Sequence, residues 1–403
     1  MISRLNRMRL EYSLSVALVL LFYPGAPALG QSSPYPSSSV ITGVSFDIPG
    51  RTSAAPGSDL WPVVWAADGN LYTVWGDGGG FGGTNNQGRV KLGVARVSGP
   101  ATSYSATNVF GGVNPQAPAT FDGKANGILS VGGVLYMSVV EQDAWLRAKI
   151  VRSTDNGRTW DFHSRGWDFA EPNGAFSDMT FLTFGPGYAG ARDNYVYVYS
   201  QDDRALPDPN DDIVWTPPIS TTITMFRVPV GQIQNRSAYE YFAGMSGGNP
   251  IWTSNINQRQ PVFSDPNGVD FGVRVMYNPG LDRYLLTANH NRSGGWGIFD
   301  APEPWGPWTT VGYWDTWIDN GWKFGFTFNQ KWMSADGKTA HMVFSGINQW
   351  DVFAVIEATF TTGGGPGPDT SRLDRAARRG TPSSSSSAPP IEPFDDLTEA
   401  ASN

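Results

Sequence analysis

The sequence predicts an all-β protein, a five-bladed β-propeller, from its composition and from an internal repeat. Residues 39–362 are rich in Gly, Trp, Tyr and Phe, are poor in Lys and Glu, and lack a helical apolar stripe. This composition indicates strands joined by many turns. One strand pattern also recurs five times, and five sheets that each need a neighbour on both faces favour blades arranged around an axis.

The recurring element is an apolar strand that follows a turn signal. Its five copies are NLYTVWGD at Tyr72, VLYMSVVE at Tyr136, YVYVYSQD at Tyr197, RYLLTANH at Leu285 and TAHMVFSG at His341. A third strand is predicted after each copy, at 92–98, 148–154, 223–229, 296–302 and 351–357. Successive copies lie 64, 61, 88 and 56 residues apart, so the longest interval predicts an insertion at about residues 203–220. A second long loop is predicted from Asn249 to Gln260.

Both ends of the chain are predicted to lie outside the propeller. Residues 1–30 combine basic residues, an apolar run from Leu14 to Tyr23 and the small-residue sequence Ala28-Leu29-Gly30, which is the pattern of a cleaved signal peptide. An uncleaved membrane anchor is the alternative interpretation. Residues 363–403 form a tail rich in Gly, Ser and Pro, a composition that predicts disorder. We therefore expect a secreted or periplasmic protein without membrane contact after signal cleavage.

The composition also bears on cofactors and partners. The chain contains no cysteine, which excludes disulfides and thiolate metal sites. Its formal net charge of −8 argues against nucleic-acid binding, because phosphate contacts need a basic surface. The sequence has no residue cluster with metal-ligand spacing and no phosphate-binding loop. We expect a monomer with no cofactor and no metal ion at its site, and a structural calcium ion between blades stays open.

The first repeat, from Asp59 to Gly83, predicts a β-hairpin with two carboxylates at its open end. The turn signal Asp68-Gly69-Asn70 lies between two apolar runs, as in hairpins whose turn requires positive φ. Asp59 precedes the first strand and Asp77 follows the second, so the two aspartates are predicted to lie close together. Trp61 and Trp75 belong to the same neighbourhood. Such a group suits a sugar-binding site, and an acidic loop beside a packed core would look the same.

Equivalent positions in the other repeats predict a polar rim and a polar channel. Five residues after each anchor the chain carries Asp77, Glu141, Asp202, His290 and Gly346. The strands before each hairpin add Asp59, Lys124, Asn126, Asp178 and Arg274, and first strands line the channel of a propeller. Carboxylates that converge with Lys and Arg would have divergent pKa values, as acid–base pairs require. Solvated strand ends and structural ion pairs remain the alternatives.

Three kinds of chemistry can be compared. Hydrolysis of a glycoside needs two carboxylates, and Asp59 with Asp77 fits this requirement. A sialidase would need an arginine cluster and a tyrosine nucleophile, and no Arg-Ile-Pro motif occurs near the start of the mature chain. A polysaccharide lyase would need Tyr or His as base, and His290 is the one histidine at a rim position. A non-catalytic carbohydrate- or protein-binding propeller is the alternative from another class.

Two resemblances carry further expectations. Ser153 to Trp160, STDNGRTW, resembles the Asp-box of sialidase-like propellers, which implies a structural, turn-capping role for Asp155. WAADGNLYTVWGDGGGFGG, KANGILSVGGVLYMSV, YEYFAG and YLLTANHNRSGGWGIFDAPEPWGPWTTV resemble glycoside hydrolase family 183, the endo-D-arabinanases of mycobacterial-type arabinan. That resemblance implies a five-bladed propeller, a polysaccharide substrate and a pair of aspartates that match Asp59 and Asp77. Gly78 departs from the family's Gly-Asp-Thr, so other polysaccharides stay open as substrates.

Overall fold

The computed structural model describes residues 31–141, 147–162, 167–168, 176, 178–202, 219–270, 272–292, 294–319, 321–346 and 351–364. The predicted signal peptide, most of the predicted insertion (203–218) and the tail beyond residue 364 lie outside the described residues. The described residues from Ser33 onward belong to one unit of dense contacts.

The strands follow one another in the order that the repeat predicts. Two strands precede the repeats, β1 (Ile41–Phe46) and β2 (Thr52–Ala54). Blade 1 contains β3 (Val63–Trp65), β4 (Leu71–Gly76), β5 (Leu92–Ser98) and β6 (Ser105–Phe110). Blade 2 contains β7 (Gly123–Val131), β8 (Val134–Glu141), β9 (Arg147–Ser153) and β10 (Trp167–Asp168). Blade 3 contains β11 (Thr180–Phe181), β12 (Tyr195–Gln201), β13 (Ser220–Pro229), β14 (Glu240–Ser246), β15 (Asn249–Thr253) and β16 (Pro261–Val269). Blade 4 contains β17 (Arg274–Asn278), β18 (Arg283–Asn289), β19 (Trp296–Ala301) and β20 (Thr309–Trp314), and blade 5 contains β21 (Phe324–Met333), β22 (Thr339–Ser345) and β23 (Phe353–Thr362).

Within the described ranges the strands form five antiparallel sheets, one for each blade. The inner strands β3, β7, β11, β17 and β21 each contact the next, and β21 contacts β3, so the ring closes. Blade 5 is completed by the N-terminal strand, since β1 pairs with β23 in the register Phe46 opposite Ala358. The structure therefore confirms the five-bladed β-propeller, and it adds a closure by β1 that the repeat did not reveal.

The local chemistry of the first hairpin explains why the repeats fold as they do. Val64 of β3 pairs with Tyr72 of β4, and Gly69 has a φ of 80° in the turn between them. Asp68 accepts a hydrogen bond from the Asn70 amide at 3.0 Å, which satisfies a turn donor that would otherwise lack a partner. All five second strands occur where the sequence predicts them, and each third strand overlaps its predicted range, although β23 begins two residues later and ends five residues later than predicted.

One predicted loop has a different structure. The segment from Asn249 to Gln260 contains β15 and a short 3₁₀ turn, Ile256–Gln258. The reason lies in Gly247 and Gly248, which have φ values of 56° and 80° and reverse the chain. β15 can therefore pair back onto β14 and extend blade 3.

The blades pack through their strand faces. Every residue of β4 and β19 is buried, and β12 and β18 are buried after their first residue, because each sheet is covered by its neighbours on both sides. The channel between the inner strands is lined mostly by apolar side chains, with Arg274 and four threonines as its polar members. In the part of the chain that the structure describes, no helix is long and apolar enough to cross a membrane.

Candidate active site

One end of the propeller brings together the polar residues that the sequence singles out. Because the inner and second strands of each blade are antiparallel, the start of each inner strand lies beside the end of the second strand. Contacts between blades join these positions: the Leu60 amide donates to Ser345 Oγ at 3.0 Å, and Arg274 donates to the Leu60 carbonyl at 3.3 Å. We call this end the mouth, and the opposite end, where turns join inner and second strands, the turn end.

Asp59 stands at the mouth immediately before β3. Its backbone and that of Gly76 exchange two hydrogen bonds of 3.0 Å, which places Asp59 beside Asp77 as the hairpin predicts. Its Oδ1 atom is buried and accepts no hydrogen bond from the described residues. Burial raises the pKa of Asp59 well above its ordinary value, Lys124 opposes this shift, and the negative charges of Asp351 and Asp77 add to it.

Asp77 has a different environment. Its carboxylate forms an ion pair with Lys124, and Arg89 Nη2 lies 3.2 Å from the same Oδ1 atom. The side chain keeps 31% of its surface exposed, so it can be reached from solvent. Two cations at one oxygen match a negatively charged aspartate. The mouth thus holds a carboxyl that favours its proton beside a carboxylate that is ion-paired.

The backbone around these two aspartates is strained. Leu60, Trp61 and Asp77 have φ values of 77°, 43° and 56°, in the left-handed region that favours glycine. Such conformations cost of order 1–3 kcal/mol each and persist where the surrounding structure enforces them, often at functional sites. The strain lies at the same positions that present the two carboxyls.

A third carboxyl, Asp351, belongs to the same group, and sequence reasoning missed it as a site residue. It was predicted as the first residue of a strand, but β23 begins at Phe353, and Asp351 lies before it at the mouth. Its carbonyl accepts a hydrogen bond of 2.7 Å from Gly57. Burial, and next the charge of Asp77, raise the pKa of Asp351. The sequence did offer a signal for Asp351, namely a charged residue shortly before a third strand. Arg89 occupies a similar position before β5.

Asp178 and Arg274 lie deeper in the channel. Asp178 is fully buried, its Oδ2 accepts from the Gly272 amide at 2.7 Å, and its Oδ1 has no hydrogen-bond partner among the described residues. Burial raises the pKa of Asp178 to about 6, although Arg274 opposes the shift. Burial likewise lowers the pKa of Arg274 to about 10. Asn126, in β7, is also buried, with 1% exposure.

The remaining predicted residues are placed as follows. Glu141 is the last residue of β8, and its backbone pairs with Gly123 at the mouth. His290 is buried and stacks on Tyr313 with ring centroids 4.3 Å apart, and burial lowers the pKa of His290 to about 4.

Trp61 and Trp75 are both fully buried and pack against each other, with 5.7 Å between their ring centroids. These two indoles form the core beneath the carboxyls rather than a surface at the mouth.

The segment from Ser153 to Trp160 lies at the turn end, away from these carboxyls. Asp155 Oδ1 accepts from the Thr159 amide at 2.9 Å, and Asp155 Oδ2 accepts from the Thr159 hydroxyl at 2.7 Å. Trp160 Nε1 donates to the Gly157 carbonyl at 2.9 Å. Asp155 is therefore used within its own turn. Within the described ranges, no group of three or more His, Asp or Glu side chains is arranged to hold a metal ion.

The fold and the mouth define this chain as a five-bladed propeller with paired carboxyls at one end. The chain belongs to the family described as "Domain of unknown function (DUF4185)", whose model matches residues 56–319. No curated protein matches the sequence.

Several solved structures are similar to this chain. The GH43_1 enzyme from Xanthomonas citri has 12% identity and a TM-score of 0.44, over 75% of this chain and 87% of that chain. The α-L-arabinanase from Penicillium chrysogenum, complexed with arabinobiose, has 13% identity and a TM-score of 0.38, over 82% of this chain and 98% of that chain. The endo-arabinase from Bacteroides thetaiotaomicron has 12% identity and a TM-score of 0.38, over 75% and 93%. The residues at the mouth of this chain therefore have to indicate its activity.

Proposed function

We propose that this protein is a glycoside hydrolase that cleaves a polysaccharide, with Asp59 and Asp77 as its pair of carboxyl groups. The observation that carries the proposal is the contrast between these neighbours. Asp59 has a buried oxygen and a raised pKa, whereas Asp77 is ion-paired with Lys124 and Arg89. Glycoside hydrolysis requires this combination, one carboxyl that carries a proton and one that carries a charge.

The catalytic roles of Asp59 and Asp77 follow from this difference between a protonated and an ion-paired carboxyl. Asp59 donates its proton to the glycosidic oxygen as the bond to the anomeric carbon breaks. Asp77 either takes a proton from a water molecule that attacks this carbon or attacks the carbon itself, and in the second case water then releases the sugar. Either route consumes one water. In the first, Asp59 ends ionised and Asp77 protonated, and proton exchange with solvent resets both; in the second, Asp59 regains its proton from the water that releases the sugar. Lys124 and Arg89 hold the carboxylate of Asp77 in place.

The neighbouring groups support these roles. Asp351 lies close enough to Asp59 for its charge to raise the pKa of Asp59, so it favours the protonated acid. Asp178, Asn126 and Arg274 lie deeper along the channel and are assigned to substrate positioning, as is Glu141 at the end of β8. His290 is neutral at pH 7 because its pKa is about 4. Because its side chain is 1% exposed, we assign it no direct contact with the substrate.

The substrate is assigned from the sequence resemblance. The first hairpin and the 284–311 segment resemble endo-D-arabinanases, so D-arabinan is the first polymer to test, followed by plant arabinans and algal polysaccharides. We also propose that the protein acts outside the cytoplasm, on the pattern of residues 1–30. N-terminal sequencing of the protein from culture supernatant should give Gln31 as the first residue, whereas a start at Met1 would contradict this.

The test combines a polysaccharide panel with substitutions at both ends of the propeller. The purified wild type should release oligosaccharides from one polymer, and Asp59→Asn and Asp77→Asn should each abolish this release while circular dichroism stays unchanged. Asp68→Asn at the turn end is the matched control and should retain activity. Release that persists in both mouth variants would refute the assigned pair. Binding without release from any polymer would instead favour a carbohydrate-binding propeller.

A further inference from the structure

The mouth has an apolar wall directly beside Asp59. Leu60 follows Asp59 in the chain, and Leu60 and Phe324 are buried, with 3% and 2% exposure. Trp322 packs against both, its ring centroid 4.9 Å from that of Phe324, and it remains partly exposed. This wall combines residues from blade 1 with residues that lead into blade 5.

The wall begins at the carboxyl group itself. Gly76 has no side chain, and the place that its Cβ would occupy lies 2.8 Å from Asp59 Oδ1 and 3.1 Å from Leu60 Cδ1. The carboxyl oxygen and the leucine methyl group are therefore neighbours. On the other side of Asp59 lie the charged groups, Asp77 with Lys124 and Arg89. The mouth thus offers an apolar surface on one side of the acid and a charged surface on the other.

An ion pair between Arg292 and the buried carboxylate of Asp270 lies beside the indole. Arg292 donates through Nε and Nη2 to both oxygens of Asp270, at 2.8 and 2.9 Å, and the Asp270 side chain is 1% exposed. The guanidinium carbon of Arg292 lies 5.6 Å from the centre of the Trp322 ring. The indole therefore has a rigid neighbour that also carries hydrogen-bond donors at the mouth.

The charges at the mouth favour an uncharged ligand. Six described cations near the mouth face carboxylates: Arg89 and Lys124 face Asp77, Lys91 faces Asp122, Arg259 faces Asp202, Arg292 faces Asp270, and Lys323 faces Asp319. Arg274 instead donates to the carbonyl groups of Val273 and Leu60. A uronic acid or a sulfated sugar would therefore meet cations that, for the most part, already pair with carboxylates. A neutral sugar ring, with one apolar face and hydroxyl groups at its edge, matches both sides of the mouth.

We propose that Trp322, beside Leu60 and Phe324, forms a subsite that stacks an uncharged sugar ring of the substrate next to Asp59, with Arg292 donating to its hydroxyl groups. This subsite rests on the proposed glycoside hydrolase function and names the class of its substrate as a neutral glycan. Trp322 is a binding residue in this assignment, and Asp270 positions Arg292.

The test measures binding separately from hydrolysis. Isothermal titration calorimetry in the Asp77→Asn background uses arabinohexaose, D-arabinan oligosaccharides and xylohexaose as neutral probes and hexagalacturonate as the anionic probe. Trp322→Ala should weaken binding of a neutral probe by about tenfold or more, since a lost stacking contact of about 1.4 kcal/mol corresponds to that factor. Trp322→Phe should recover most of the affinity, because it keeps an aromatic face and separates lost stacking from lost folding.

The chain provides a matched control. Trp305 at the turn end also lies beside an arginine, Arg192, at 4.6 Å, and Arg192 is likewise ion-paired with a carboxylate, Glu303. Trp305→Ala should leave the affinity unchanged. The subsite is refuted if Trp322→Ala binds as tightly as its parent, if no neutral probe binds, or if hexagalacturonate binds more tightly than every neutral probe. Affinity that depends on Trp322 without hydrolysis by the wild type would support the subsite and contradict the hydrolase.

Discussion

At the turn end of the propeller Asp68, Asp155 and Asp336 accept hydrogen bonds from their own turns. Asp59 at the mouth and Asp178 below it each bury an oxygen that accepts none from the described residues. Burial opposes the shift at Asp68 and Asp155, yet hydrogen bonds outweigh it and lower both pKa values. At the mouth burial dominates and raises the pKa values of Asp59, Asp178 and Asp351.

The difference shows how one residue type serves two purposes in the same fold. A turn aspartate satisfies backbone donors, so it stabilises the turn and is ionised. Burial outweighs the hydrogen bonds and charges around an aspartate at the mouth, which costs stability but raises its pKa and so favours the protonated carboxyl. The two ends should therefore respond oppositely to substitution, with activity affected at the mouth and stability at the turns.

The largest expected effect is on turnover. Asp59→Asn and Asp77→Asn should each lower kcat by about 10²–10⁴, because each removes a proton-transfer or charged group. Asp155→Ala should leave kcat unchanged and lower the free energy of unfolding by about 1–3 kcal/mol, because it removes hydrogen bonds within the turn. Initial rates and urea unfolding on the three variants check this. If Asp155→Ala lost as much activity as Asp59→Asn and Asp77→Asn, the predicted difference between the two ends would be wrong.

The next effect concerns the glycines that face each end. Gly76→Ala would place a methyl group 2.8 Å from Asp59 Oδ1 and 3.2 Å from Lys124 Cδ, so kcat should fall by about 10–10² through displacement of the acid. Gly69→Ala at the turn end meets open space but has a φ of 80°. It should cost about 1–2 kcal/mol of stability with no loss of kcat. The measurements are the initial rate and the melting temperature of both variants. A fully active Gly76→Ala enzyme would contradict the placement of Asp59.

The third effect is a pH dependence of opposite sign at the two ends. The pKa of Asp178 is about 6 in the folded protein and about 4 when unfolded, so the folded state binds the extra proton between these values. Its contribution to stability should fall by about 2 kcal/mol as pH rises from 4 to 6, and Asp178→Asn should remove this part of the fall. Asp155, with a lowered pKa, should lose its contribution as pH falls below about 4. Urea unfolding at pH 3, 4, 6 and 7 measures both.

The smallest effect is expected at Arg89. Its ion pair with Asp77 is 3.2 Å long and its side chain is 43% exposed, so Arg89→Gln should change stability by less than about 1 kcal/mol. Lys124, 13% exposed, still holds Asp77 in this variant, so kcat should fall by no more than a few fold. Rates at low and high salt test this. A loss as large as that of Asp77→Asn would show that Arg89, rather than Lys124, fixes the carboxylate.

Much of the fold could be predicted because it depends on local patterns. Apolar runs such as 71–76 and 195–201, each after a turn signal, were enough to place the second strands. The hairpin geometry was also enough to predict that Asp59 lies near Asp77, since strand pairing depends on the turn between them. The structure adds that Asp59 pairs with Gly76. Gly247 and Gly248 show the limit, because the β14–β15 hairpin was predicted as a loop.

The sequence by itself determined the five repeats, the turns and the two aspartates of the first hairpin, because these rest on contacts between residues close in the chain. Tertiary structure alone decided which carboxyls lose water, how Asp351 and Lys124 approach Asp59 and Asp77, and where Trp322 lies. It also decided that β1 completes blade 5. Those features join segments that are tens to hundreds of residues apart, and burial and charge act through space, so no local pattern encodes them.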